Sequence, residues 1–188
     1  MSWQVVKKET VDAYHDCRWR LEQKGFEITA AVIDGKPGVY NAFWDVPIQM
    51  CQFHQITIVT RYLTAKPKLE AGKELRILAL TLPQTEGYIF ELELSVWFKR
   101  WQSFMNEKSY NPKTSRKFFT HKRLRSAYRS LERNKEILFT YQKYPELNMP
   151  NTTNSLEGSF AHLKDMLRIH RGLKAMRKIK MITEILAK

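Results

Sequence analysis

Apolar residues recur along this chain with two periods, and the points where the period changes mark its elements. Thr10 stands ahead of Val11, Tyr14 and Leu21, whose helical spacing predicts a capped helix ending at Lys24-Gly25. Before it, Trp3 to Val6 suits a short strand or an extended lead-in. From Phe26 to Ile33 the residues favour β structure, and the run turns wholly apolar just before Asp34-Gly35. A helix thus feeds a buried strand, with Asp34 at its carboxyl end. Lys36-Pro37-Gly38 turns the chain, Val39 to Phe43 predicts a short helix, and Ile48 to Cys51 predicts a second strand. A helix from Phe53 or His54 to about Thr64 would bury Ile56, Val59 and Leu63, until Lys66-Pro67 breaks it.

Residues 68–149 read as almost entirely helical, over Leu69 to Leu82, Tyr88 to Glu107 and Thr120 to Tyr141. In the middle helix Phe90, Leu94, Trp97, Trp101 and Phe104 form an aromatic stripe at helical spacing, which predicts packed core. Ser109 to Ser115 and Asn148 to Asn151 read as linkers. Pro150 and the threonines after it stop the pattern, and a last helix begins in which Leu156, Phe160, Leu163 and Leu167 share one face, predicted to be buried. Glu157, Ala161, Lys164 and Arg168 lie on the neighbouring face, one carboxylate with cations behind it over about 16 Å of helix. Asn154-x-x-Glu157 also has the form of a capping box, with Asn154 or Thr153 as the cap.

Charge changes this picture. Of the net charge of +13, residues 1–94 contribute −1, from 11 Lys and Arg against 12 Asp and Glu; residues 95–188 contribute +14, from 21 against 7. Such asymmetry points to a polyanionic partner, nucleic acid ahead of a membrane surface, because no basic stretch has a cleanly apolar opposite face. Lys108 to Arg133 is its densest part, with Phe118, Phe119 and Tyr128 interleaved among the cations. No apolar run approaches the roughly 20 residues needed to cross a bilayer, and no secretory leader is visible. The chain is therefore expected to be soluble and cytoplasmic, nucleoid-associated when bound, with Cys17 and Cys51 reduced.

Three features carry candidate chemistry: Asp34 at a strand end, Glu157 in the first turn of the last helix, and the Cys51-x-x-His54 pair. The pair could form zinc ligands with His15-x-Cys17. Those two residues, however, lie two apart on a helix and point in different directions, so no zinc is expected. Asp34-Gly35, Cys51-x-x-His54 after the next strand, a long helical interruption, and Thr152-Thr153-Asn154-x-x-Glu157 opening the final helix together resemble the Mutator-like group of bacterial insertion-sequence transposases, in the DDE class. The similarity runs over nearly the whole chain.

The resemblance implies an α/β, mainly helical fold: an incomplete ribonuclease H-like core (residues 1–65), a helical insertion (66–149), and a closing core helix with a basic tail (150–188). It implies DNA as substrate and partner, cleavage and strand transfer at element ends, and Mg²⁺ or Mn²⁺ as cofactor. Asp34 matches the second catalytic aspartate and Glu157 the closing glutamate, both metal ligands; Cys51, His54 and Asn154 match supporting positions. The family's first aspartate, on an earlier strand, has no match. The expectation is a truncated transposase, inactive alone, that an upstream polypeptide carrying that aspartate could complete; a homo-oligomer is a further possible partner arrangement. Arg123, Arg125, Arg129, Lys164, Arg168 and Arg171 are the candidate phosphate contacts. The alternative is a non-catalytic nucleic-acid-binding protein with Glu157 as a helix cap.

Overall fold

The apolar run before Asp34 pairs over a shorter length than its composition predicts. A computed structural model describes residue 6, residues 8–36 and residues 38–186, so the expected lead-in at Trp3 to Val5 lies outside the described residues. The side chains of residues 155–157, 159, 162 and 186 are likewise not described. Helix α1 spans Val11–Glu22, with the Thr10 hydroxyl accepting from the Ala13 N–H at 3.3 Å. Strand β1 is only Ala31–Ile33 and pairs in parallel with β2, Ile48–Met50, in the register Ala31 to Ile48 and Ile33 to Met50. The ladder stops where Ala31 N–H reaches the Pro47 carbonyl, since Pro47 has no N–H with which to extend it. Phe26, left without a partner strand, is 60% exposed.

The short helix α2, Val39–Ala42, crosses between the two strands. Arg18 of α1 ties that crossover down, through the Ala42 carbonyl at 3.2 Å and both Asp45 carboxylate oxygens at 2.5 and 2.7 Å. Helix α3, Gln52–Leu63, then starts directly from β2. Its Val59 and Leu63 are buried, as their spacing predicts, and Ile56 packs partly against the core.

Helices α4 (Glu70–Leu80) and α5 (Gly87–Met105) are clamped by indole hydrogen bonds from Trp97 to the Ala71 carbonyl (3.1 Å) and from Trp101 to Glu74 (2.8 Å). Phe90, Leu94 and Trp97 are buried; Trp101 and Phe104 pack against the core from its edge. One continuous hydrophobic cluster runs from Ile33 and Met50 of the small sheet through Leu75, Phe90 and Leu131 to Phe139. The molecule is 61% helix and 8% strand, an α/β arrangement in which helices dominate.

Two expectations for the middle of the chain are corrected. Ser109 to Ser115 is no linker: Lys108–Asn111 (β3) and Arg116–Phe119 (β4) form an antiparallel hairpin. Tyr110, Phe118 and Phe119 favour strand, Asn111 Oδ1 accepts from the Lys113 N–H to start the turn, and Ser115 completes it in the left-handed region. The expected Thr120 to Tyr141 helix also breaks. Helix α6 covers Lys122–Asn134, a 3-10 turn follows at Lys135–Ile137, and α7 covers only Thr140–Lys143.

That break is enforced by buried amides. Gln49 and Gln52 both donate to the Leu138 carbonyl (2.8 and 2.9 Å), Gln49 Oε1 accepts from the Tyr141 N–H (3.0 Å), and the Thr140 hydroxyl donates to the Ile48 carbonyl (2.6 Å). Polar groups on β2 and α3 thus take backbone bonds that a continuous helix would keep for itself. The last two helices are α8, Asn154–Ile169, and α9, Ala175–Leu186. On α8 Leu163 is buried and Leu167 half-buried, but Phe160 is 39% exposed, so the predicted apolar face is only partly covered.

Candidate functional site

The two parallel strands end together, and the residues just past their carboxyl ends are the ones the sequence singles out. Asp34 follows β1 and Cys51 follows β2, with the Cys51 N–H donating to the Ile33 carbonyl at 2.7 Å. Neighbouring strands lie about 4.8 Å apart, so the two residues are lateral neighbours. Asp34 is exposed, and its Oδ1 accepts from the Lys36 N–H at 2.9 Å. Gly35 lets the chain turn away there: its φ is +79°, and a Cβ would lie 2.5 Å from Met50 Cε.

The segment that opens α8 docks on the same end. Asn151 accepts from the Gln52 N–H through its carbonyl (2.9 Å) and donates its side-chain amide to Gln52 Oε1 (3.0 Å). It thereby satisfies a first-turn donor of α3 from outside the helix. Thr153 donates both its N–H and its hydroxyl to Cys51 Sγ, each at 3.4 Å. The capping-box alternative is corrected in part: Thr153 holds the N-cap position of α8 but makes no side-chain cap bond, and Asn154 is the first helical residue rather than the cap. Asp34, Cys51, His54 and the Thr153-Asn154 pair therefore gather at one end of the β1–β2 pair. Glu157 falls in the first turn of α8, and its side chain lies outside the described residues.

Cys51 is fully buried. Burial pushes its thiol up, but hydrogen bonds from the Thr153 hydroxyl, the His54 backbone and ring, and the Thr153 backbone together outweigh it, holding the thiol below its ordinary value. Tyr14 on α1 is pushed up by burial first and then by the nearby charges of Asp34 and Cys17. Among the described residues no group of three or more His, Cys, Asp and Glu side chains is placed to hold a metal ion. Asp34 stands at the end of β1, and Glu9 reaches the same region through the Lys36 ammonium and the Tyr14 hydroxyl. A two-ion site needs further carboxylates, and the described side chains alone do not make one.

The cations divide by what they already do. On α6, Lys122, Arg125, Arg129 and Arg133 follow one another at three- and four-residue spacing over about 16 Å. Arg125 is anchored: it donates to the Met105 carbonyl (2.9 Å) and Asn106 Oδ1 (2.7 Å), and its guanidinium lies 3.6 Å from the centroid of the Phe119 ring. Burial, and then the charge of Arg129, hold it below the ordinary guanidinium value. Arg123 donates to the Arg61 carbonyl at 2.8 Å, tying α6 to the end of α3. Arg129, Lys164, Arg168 and Arg171 are exposed, with Arg168 3.5 Å from Asp165.

Of the interleaved aromatics, Tyr128 is half-buried and stacked against both Trp97 and Phe98 (centroids at 5.5 and 4.8 Å). Sequence reasoning passed over Thr153 as a partner of Cys51, the buried amides Gln49, Gln52 and Gln55, and Tyr110 of the hairpin. The three-residue spacing of the glutamines in an otherwise apolar stretch was the available signal for the amides. No protein-family model, curated protein or solved structure matches this chain.

Proposed function

We propose that this chain carries part of the catalytic core of a DDE-class DNA transposase of the Mutator-like group and binds DNA through its basic second half. What supports the reading is the docking of Thr153 on Cys51: three motifs far apart in sequence meet at the carboxyl ends of two parallel strands, where α/β sheets put their chemistry. In this reading β1, β2 and α8 belong to a ribonuclease H-like core, Asp34 and Glu157 are ligands of Mg²⁺ or Mn²⁺, and Cys51 holds the start of α8 in place. In this reading the family's first aspartate has no match in the sequence. The chain alone is expected to bind DNA without cutting it.

Iron-mediated protein cleavage tests the core. With Fe²⁺ replacing Mg²⁺, hydroxyl radicals are expected to cut the backbone near residues 34 and 157 together. Cuts at one position or neither would remove the shared metal site. DNA nicking in Mg²⁺ that disappears in Asp34→Ala or Glu157→Ala would overturn the expectation of inactivity. A second reading, a non-catalytic nucleic-acid-binding protein, is favoured by the cation stripe of α6, which owes nothing to Asp34 or Glu157.

A further inference from the structure

We infer that one face of the β3–β4 hairpin is a stacking site for an unpaired DNA base, with Tyr110 as the platform and the Arg125–Arg129 cavity at the base of that face receiving phosphate. The inference rests on the DNA-binding part of the proposed function and gives that binding a place and a strand preference.

Cross-strand partners share a face, so the register divides the hairpin cleanly. Lys108 opposite Phe119, and Tyr110 opposite Lys117, form one face; Ser109 opposite Phe118, and Asn111 opposite Arg116, form the other. The rings on the hairpin are not equivalent. Phe119 is half-buried beneath the Arg125 guanidinium, with the Lys108 ammonium 5.4 Å from its ring centre, and Phe118 has the Lys122 ammonium at 4.6 Å. Tyr110, two residues and about 7 Å farther toward the tip, is 57% exposed and faces outward between Lys108 and Lys117. An exposed ring on a face that also carries two lysines offers a base a π-face and its phosphates a counter-charge.

The base of the same face is closed by Arg125, which also lines a cavity of about 200 Å³ with Phe98, Met105, Asn106, Tyr128 and Arg129. Two guanidiniums line this cavity with no carboxylate among its lining residues, and after burial it is repulsion from the charge of Arg129 that disfavours the charged form of Arg125. An anion entering between them relieves that repulsion. The open ring and the positive cavity are linked through Phe119, which shares the face of Tyr110 and lies under the Arg125 guanidinium. In a duplex the base faces are stacked inside, so the ligand that uses both features is DNA with unpaired nucleotides.

The test uses the full chain and three labelled DNAs of one sequence: a single strand of about 15 nucleotides, its blunt duplex, and the duplex with an unpaired tail. Tyr110→Ala is expected to weaken the single strand and the tailed duplex by roughly five- to 100-fold and the blunt duplex by less than about twofold, with Tyr110→Trp restoring affinity. Arg129→Ala is expected to weaken all three and lower the salt slope by about one. Equal loss on all three DNAs, or no loss, in Tyr110→Ala overturns the stacking site while leaving DNA binding intact. Failure of the wild-type chain to bind any of them at low salt overturns the DNA-binding reading, and this inference with it. Circular dichroism checks that each variant remains folded.

Discussion

At the scale of single residues, the most consequential contact is between Thr153 and Cys51. It joins a helix start to a strand end 102 positions away, and it uses a thiol, a group that burial alone would leave protonated and inert. Because hydrogen bonds to the sulfur hold its pKa below the ordinary value despite burial, the thiolate is favoured by folding. The sign follows as for any acid with a depressed pKa: its stabilising share is complete above the unfolded value of about 8.5 and is lost as pH falls through the folded value. In a Cys17→Ser background the ultraviolet thiolate absorbance should rise with a midpoint below about 8.5, and Thr153→Val should move that midpoint upward. A midpoint unmoved by Thr153→Val would detach the hydroxyl from the sulfur.

At the scale of elements, β2 and α3 act through their glutamines as much as through their apolar side chains. Gln55 donates to Ser130 Oγ (3.0 Å) and accepts from Asn134 (2.7 Å), completing a line of buried amides that binds α3 to α6 and to the turn before α7. A satisfied buried network of this kind is costly to open, because each lost partner leaves a desolvated group behind. Gln49→Leu and Gln52→Leu are each expected to lower stability by about 1–3 kcal/mol in urea unfolding. The two share the Leu138 carbonyl, which loses both amide donors only when both are replaced. The double variant should therefore cost more than the sum of the singles, and an additive result would place the two amides in separate environments.

At the scale of the whole molecule, the charge asymmetry becomes a division of labour. Arg123 and Arg125 brace α6 against α3, α5 and the hairpin, whereas Arg129, Lys164, Arg168 and Arg171 remain exposed. With those four on phosphates, the logarithm of the affinity for duplex DNA should fall against the logarithm of salt with a slope of about −4. Neutralising any one of the four should reduce that slope by about one, while Arg123→Ala, which loses the bond to the Arg61 carbonyl, should lower stability and leave the slope nearly unchanged. A slope near zero in the wild-type chain would remove the electrostatic basis for DNA binding. Among the described residues no helix is long and apolar enough to cross a membrane.

Local pattern carried much of this molecule. The α1 start at Thr10, the short helix between the strands, the β2-to-α3 junction at Cys51 and the buried stripe Phe90, Leu94 and Trp97 were legible because each depends on periodicity, caps or breakers within a few residues. So was the opening of α8 after the Pro150 to Thr153 segment. Only the tertiary structure decided the rest, since it turns on partners distant in the chain. Strand β1 is short because its neighbour begins after a proline, and the helix after α6 breaks because Gln49, Gln52 and Thr140 redirect its backbone bonds. Thr153 faces a sulfur rather than capping its own helix, because the first turn of α3 takes Asn151 and draws the chain across Cys51. Residue types set which groups could form hydrogen bonds; packing chose the pairs, because a buried polar group takes whichever partner the fold brings to it.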